Sequence, residues 1–165
     1  MALTLAAFNT LVDEHGPALY RIAYRLVGDR HEAEDVVQET YRSAWKSRES
    51  YESGRGDRAW LAAILRRRVI DRLRRHAPPH PFDAAGPHEV GVEGADPFAG
   101  QYTDEMQHAL AQLPEELRET LLLVVVGELT HQEVADLLGA PLGTVLSRVS
   151  RARRRLREVL ISART

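Results

Sequence analysis

The chain contains no cysteine among its 165 residues, which removes disulfides and thiolate metal ligands and suits a reducing compartment. It also lacks any run of eighteen apolar residues, so no segment predicts a membrane-spanning helix. The opening stretch MALTLAAFNTLVDEHG has neither the basic flank nor the continuous apolar block of a secretory signal. A soluble, cytoplasmic protein with no membrane insertion is expected. His76, His80 and His88 match no ligand spacing and have no cysteine to support them, so no metal and no cofactor are expected. Net charge is scarce as well, at −2.

That small total hides a segregation. Residues 1–60 sum to −2, 61–76 to +5, 77–107 to −6, 108–146 to −5 and 147–165 to +6. Either basic patch alone could be an ordinary solvated helix face. Two of them, separated by acidic stretches, form the footprint of a protein that holds phosphates in two places.

The stretch His76–Gln101, HAPPHPFDAAGPHEVGVEGADPFAGQ, has repeated Pro and Gly, no periodicity and only acidic charge. It reads as a linker over 77–101 between two helical lobes, 1–76 and 102–165. The expected fold class is all-α: two small helical domains joined by an irregular acidic segment.

In the first lobe Pro17 suits the opening turn of a helix carrying Leu19, Ile22, Ala23 and Leu26. Gly28 ends it, and Asp29, with Glu32 three residues on, caps the next. There Ala33, Val36, Val37, Thr40, Tyr41, Ala44 and Trp45 make an apolar stripe, while Glu34, Asp35, Gln38, Glu39 and Arg42 fall on the other face. Ser47–Asp57 reads as a loop that ends in a cap at Asp57. The helix after it buries Trp60, Leu61, Ile64, Leu65 and Leu73, but cannot bury all its arginines.

In the second lobe Pro114 and two glutamates open a helix, where the dipole favours negative charge. Leu121–Val126 is assigned to it because no other segment offers a partner strand. Thr130 and Glu133 form a capping box, Gly139 supplies a left-handed turn, and Pro141 starts a further helix. That last helix turns Leu142, Val145, Val149, Ala152, Leu156 and Leu160 inward and Ser147, Arg148, Arg151, Arg154 and Arg155 outward. A capped helix, a glycine turn and a second amphipathic helix make a helix-turn-helix, whose second helix fits the DNA major groove.

These segments carry a resemblance. AEDVVQETYRSAW (33–45) resembles region 2.2 of the extracytoplasmic-function sigma factors, the compact group of the sigma-70 family, and WLAAILRRRVIDRLRR (60–75) resembles region 2.4. LPEELRETLLL, with GELTHQEVADLLGAPLGTVLSRVSRARRRL after it, resembles region 4. Three segments in the family's order, with an irregular linker between the second and third, cover almost everything outside that linker. The resemblance implies a promoter-specificity factor, not an enzyme, whose partners are core RNA polymerase through its β′ and β subunits, promoter DNA and an anti-sigma factor. Such an inhibitor could also hold it at the membrane.

Residue by residue, the resemblance assigns Asp35, Gln38, Glu39 and Arg42 to the polymerase β′ coiled coil. Tyr51, Arg66, Arg67, Arg74 and Arg75 go to the unpaired −10 element, and Thr144, Ser147, Arg148, Arg151, Arg154 and Arg155 to the −35 duplex. Two departures stand out: Arg67 occupies a position where relatives often have Asn, and Leu146 one where they commonly have a basic residue. The −10 preference is therefore open, and one polar −35 contact is missing. The acidic stretch would fit a basic polymerase channel normally taken by RNA, or serve only as a solubilising tether. A stand-alone helix-turn-helix regulator is the alternative reading, and it would bind a palindrome without polymerase. HEAED (31–35) lacks the HExxH spacing and supports no hydrolytic site.

Overall fold

A computed structural model describes residues 3–52, 56–75 and 104–163 of the chain. The linker reading falls outside these residues. Among them there is no strand. Seven α-helices follow one another: α1 Leu5–Val27, α2 Arg30–Lys46, α3 Asp57–Arg75, α4 Asp104–Ala111, α5 Glu115–Val125, α6 His131–Leu138 and α7 Leu142–Ala163, with a 3-10 turn at Arg48–Ser50 before α3.

Helix α1 begins twelve residues earlier than Pro17 predicts. Thr4 caps it by accepting from the Ala7 N–H at 3.2 Å, and Pro17 lies inside it. A mid-helix proline removes one backbone hydrogen bond. The buried Phe8 and Leu11 upstream continue the apolar face of Leu19 and Ile22, so burial on both sides of Pro17 carries the helix through. Gly28, at φ 74°, closes α1 by donating to the Tyr24 carbonyl. Asp29 then caps α2, its Oδ1 2.9 Å from the Glu32 N–H.

Helices α1, α2 and α3 pack against one another around Leu19, Ile22, Val36, Leu61 and Leu65, all fully buried. Burying each such side chain contributes about 1.5–3 kcal/mol. Thr40 is buried in the same core and satisfies its hydroxyl on the Val36 carbonyl at 2.8 Å. Phe8 meets the edge of Tyr41 and packs tilted on Trp45. Burial pushes the Tyr41 phenol above its ordinary pKa, and the Asp13 carboxylate adds to the effect.

Three expectations for α3 need correction. Asp57 is the helix's first residue rather than its cap, because the Trp60 N–H already bonds the Gly56 carbonyl at 2.9 Å. Leu73 is 40% exposed, since no residue of α3 beyond Val69 is buried. Trp60 is half-buried rather than enclosed.

In the second half, α7 packs on α4, α5 and α6. Leu122, Leu123, Val134 and Val145 fill its centre, and the segment from Leu121 is helical as expected. Leu142 is another correction: it is 41% exposed, because the inward row of α7 starts at Val145.

The two halves touch, and their buried residues form one continuous cluster. Helix α1 meets α5, and α3 meets α6. At the seam Gly127 leaves no space for a side chain: a Cβ there would lie 2.6 Å from the Leu123 carbonyl oxygen and 2.9 Å from Ile22 Cδ1. Arg58 Nη1 pairs with Glu128 Oε2 at 2.7 Å, and Arg58 Nε donates to His15 Nδ1 at 3.2 Å. Arg25 donates to Gln107 at 2.6 Å, and Arg66 pairs with Glu119.

Candidate nucleic-acid interface

The second-half motif is built from local chemistry. Thr130 Oγ1 accepts from the Glu133 N–H at 3.1 Å while Glu133 Oε1 accepts from the Thr130 N–H at 3.0 Å, so both ends of the capping box close. Gly139 stops α6 at φ 65°, and the Ala140 N–H returns to the Ala135 carbonyl at 3.0 Å. Ala135 is buried, so its small side chain lies within the packed core of the motif. Pro141 then accepts from the Thr144 and Val145 N–H groups, which starts α7.

Helix α7 shows two faces. Val145, Val149 and Ala152 are buried, whereas Ser147, Arg151, Arg154 and Arg155 are exposed along the outer surface. Arg153 and Arg157 are exposed too. Thr144 and Arg148 are half-buried, and Arg148 Nη2 lies 3.7 Å from Glu116 Oε2 of α5. Leu146 is 48% exposed, an apolar side chain at the surface beside Ser147. A helix of this kind, with arginines free to reach guanine edges and phosphates, suits a DNA groove.

On α3, Arg67, Arg74 and Arg75 are exposed and Arg66 is half-buried against Glu119. Arg68 pairs with Asp71 at 3.0 Å. Tyr51 is half-buried: its ring lies 5.1 Å from that of Trp60 and its hydroxyl donates to Asp57 Oδ1 at 2.6 Å. In this arrangement the Tyr51 ring packs tilted against Trp60, so a base could use that face only after the ring moves. Residues 53–55 of the same loop lie outside the described residues.

On α2, Asp35, Gln38 and Arg42 are exposed and Glu39 is half-buried. Sequence reasoning missed Arg72, which reaches across from α3 to both Asp35 and Glu39 at 3.3 Å. It also missed Glu116 and Glu119, one turn apart on α5, which take an arginine from each basic helix. Among the described residues there is no group of three or more metal-binding side chains, and no helix is long and apolar enough to cross a membrane.

Residues 11–78 match sigma-70 region 2, and residues 103–156 match sigma-70 region 4. Fold and interface together therefore define a transcription initiation factor of the sigma-70 class, a family of non-enzymatic proteins. The chain is 34% identical to the ECF RNA polymerase sigma factor SigE of Mycolicibacterium smegmatis over 94% of its own length, which is 62% of that relative. It is 30% identical to the ECF RNA polymerase sigma factor SigW of Bacillus subtilis, with 93% of this chain and 89% of that one covered. Its fold superposes on the sigma factor RpoE of Bartonella quintana, solved in complex with the anti-sigma factor NepR, with a TM-score of 0.76 and 29% identity over 94% of this chain and 98% of that one. The chain belongs to the extracytoplasmic-function (ECF) RNA polymerase sigma factors. As a member it binds core RNA polymerase and promoter DNA and directs promoter-specific initiation.

Proposed function

We propose that three surfaces divide this work. Residues 1–76 hold polymerase and the unpaired −10 element, with Asp35, Gln38, Glu39 and Arg42 on the β′ subunit and Arg66, Arg67, Arg74 and Arg75 along the DNA backbone. Tyr51 takes a base once it leaves Trp60. Residues 102–165 read the −35 duplex through Thr144, Ser147, Arg148, Arg151, Arg154 and Arg155. The acidic 77–101 segment joins them. No residue has a catalytic role, and the site of action is the cytoplasm, where core polymerase works.

The observation that carries this reading is the exposure of arginines on two separate helices, α3 and α7, within a chain of net charge −2. A sigma factor must hold DNA at two elements, and two arginine surfaces supply the phosphate contacts. Control by an anti-sigma factor rests on the likeness to the Bartonella sigma factor, whose solved structure includes one. A stand-alone regulator is not favoured, because region 2 carries the outward carboxylate face on α2 as well as the arginines of α3.

The test is a pull-down with core polymerase. Asp35→Ala combined with Gln38→Ala is expected to weaken capture while leaving helicity intact, since both side chains are exposed. Undiminished capture would remove the α2 face from the account.

A further inference from the structure

Arg72 is one of seven arginines on α3 and stands two residues before Arg74, so by position it belongs with the DNA-facing set. Its contacts separate it from that set. The side chain is only 19% exposed, with Nη2 3.3 Å from Asp35 Oδ2 and Nη1 3.3 Å from Glu39 Oε1. Its Nε is buried without a hydrogen-bond partner, so the terminal nitrogens are the ends that do the bridging. Both carboxylates lie on α2, one helical turn apart, where like charges repel. A single guanidinium between them replaces that repulsion with two attractions. Its planar fork can address two carboxylates at once, which a single ammonium point charge does less well.

We infer that Arg72 is a positioning residue of the polymerase-docking face: from α3 it braces Asp35 and Glu39 in fixed orientations, so that polymerase meets a preorganised carboxylate pair carrying a single net negative charge. The inference rests on the proposed role of α2 as that face. Between the braced pair Gln38 stays exposed and keeps its amide for the partner. Preordered side chains lose less freedom on docking, and that difference appears as affinity. Arg72, held this way, is not available to a phosphate. Arg72 thus stands apart from the exposed Arg67, Arg74 and Arg75 of the same helix as a polymerase-side brace.

The experiment measures binding of the labelled full-length chain to core polymerase, and separately to a single-stranded −10 oligonucleotide. Arg72→Ala is expected to weaken core binding by about three- to tenfold, as for a preorganising contact that does not itself touch the partner. Arg72→Gln, which keeps hydrogen bonding but not charge, should weaken it as well, and Arg72→Lys should restore part of the loss. In an Asp35→Ala, Glu39→Ala background Arg72→Ala should add nothing, because the brace has nothing left to hold. Oligonucleotide binding should not change. Helical circular dichroism on each variant checks the fold. Unchanged core affinity in Arg72→Ala, an additive loss in the double-variant background, or a loss confined to the oligonucleotide would each overturn the proposal. If Asp35→Ala with Gln38→Ala also leaves core binding intact, the docking face itself fails and the proposal with it. A loss there, with none in Arg72→Ala, overturns the brace alone.

Discussion

Glu119→Gln is expected to tighten the grip of the free chain on single-stranded −10 DNA. Arg66 Nε is paired with Glu119 Oε1, and the two side chains are 32% and 17% exposed. A guanidinium held this way cannot also hold a phosphate, so DNA must first break the pair. A pair open to solvent on one side is screened, and breaking it costs about 1 kcal/mol or less. Converted to affinity, that is a gain of about two- to fivefold when Glu119 loses its charge. The freed arginine also adds one phosphate contact, so the dependence of log affinity on log salt should steepen by about 0.7. Fluorescence anisotropy with a labelled oligonucleotide over a salt series reads both quantities. The gain must vanish in an Arg66→Ala background, because the two changes act on one pair. Unchanged or weaker binding in Glu119→Gln, or a gain that survives Arg66→Ala, would refute the reasoning.

On α7, Arg151→Ala should cost about 1–3 kcal/mol of −35 affinity, mostly at one base position, if the side chain addresses a guanine. A loss uniform across sequences with a shallower salt slope would make it a phosphate contact instead. Thr130→Ala removes the hydroxyl that accepts from the Glu133 N–H, while its backbone N–H can still donate to Glu133 Oε1, and should lower stability by about 1 kcal/mol in a thermal melt, with a parallel loss of −35 binding. No shift would mean that tertiary packing alone holds α6. For Tyr41 the folded-state pKa lies above the ordinary 10.0, so its contribution to stability is fully present below pH 10 and is lost as pH rises through the folded value. Tyr41→Phe should flatten the fall in stability on the alkaline side. An unchanged slope would assign that fall to other groups.

What the sequence disclosed was local. The Asp29 cap, the Thr130–Glu133 box and the Gly139 turn each depend on residues three or four apart, and the structure closes all of them. Charge segregation was legible for the same reason, since a helix keeps neighbouring arginines together. Pro17 misled because a proline is a local signal, whereas the burial of Phe8 and Leu11 that carries α1 through it is tertiary. Leu73 and Leu142 fit the inward periodicity of their helices, yet Leu73 lies after the last buried row of α3 and Leu142 before the first of α7. The ion pairs between distant segments were out of reach altogether. Arg66 meets Glu119 across 53 positions of sequence, Arg58 meets Glu128 across 70, and Arg72 meets Asp35 across 37. No spacing rule links such pairs, so which arginines stay exposed and which are already engaged emerges only once the helices are packed.

The most direct test of the whole account is run-off transcription from a library of promoter templates, with core polymerase supplied and this chain added or withheld. The account predicts transcripts from a defined subset of templates, starting at a fixed distance from two shared elements, only when both proteins are present. Transcripts that do not depend on the chain, or none from any template with core polymerase, would contradict it.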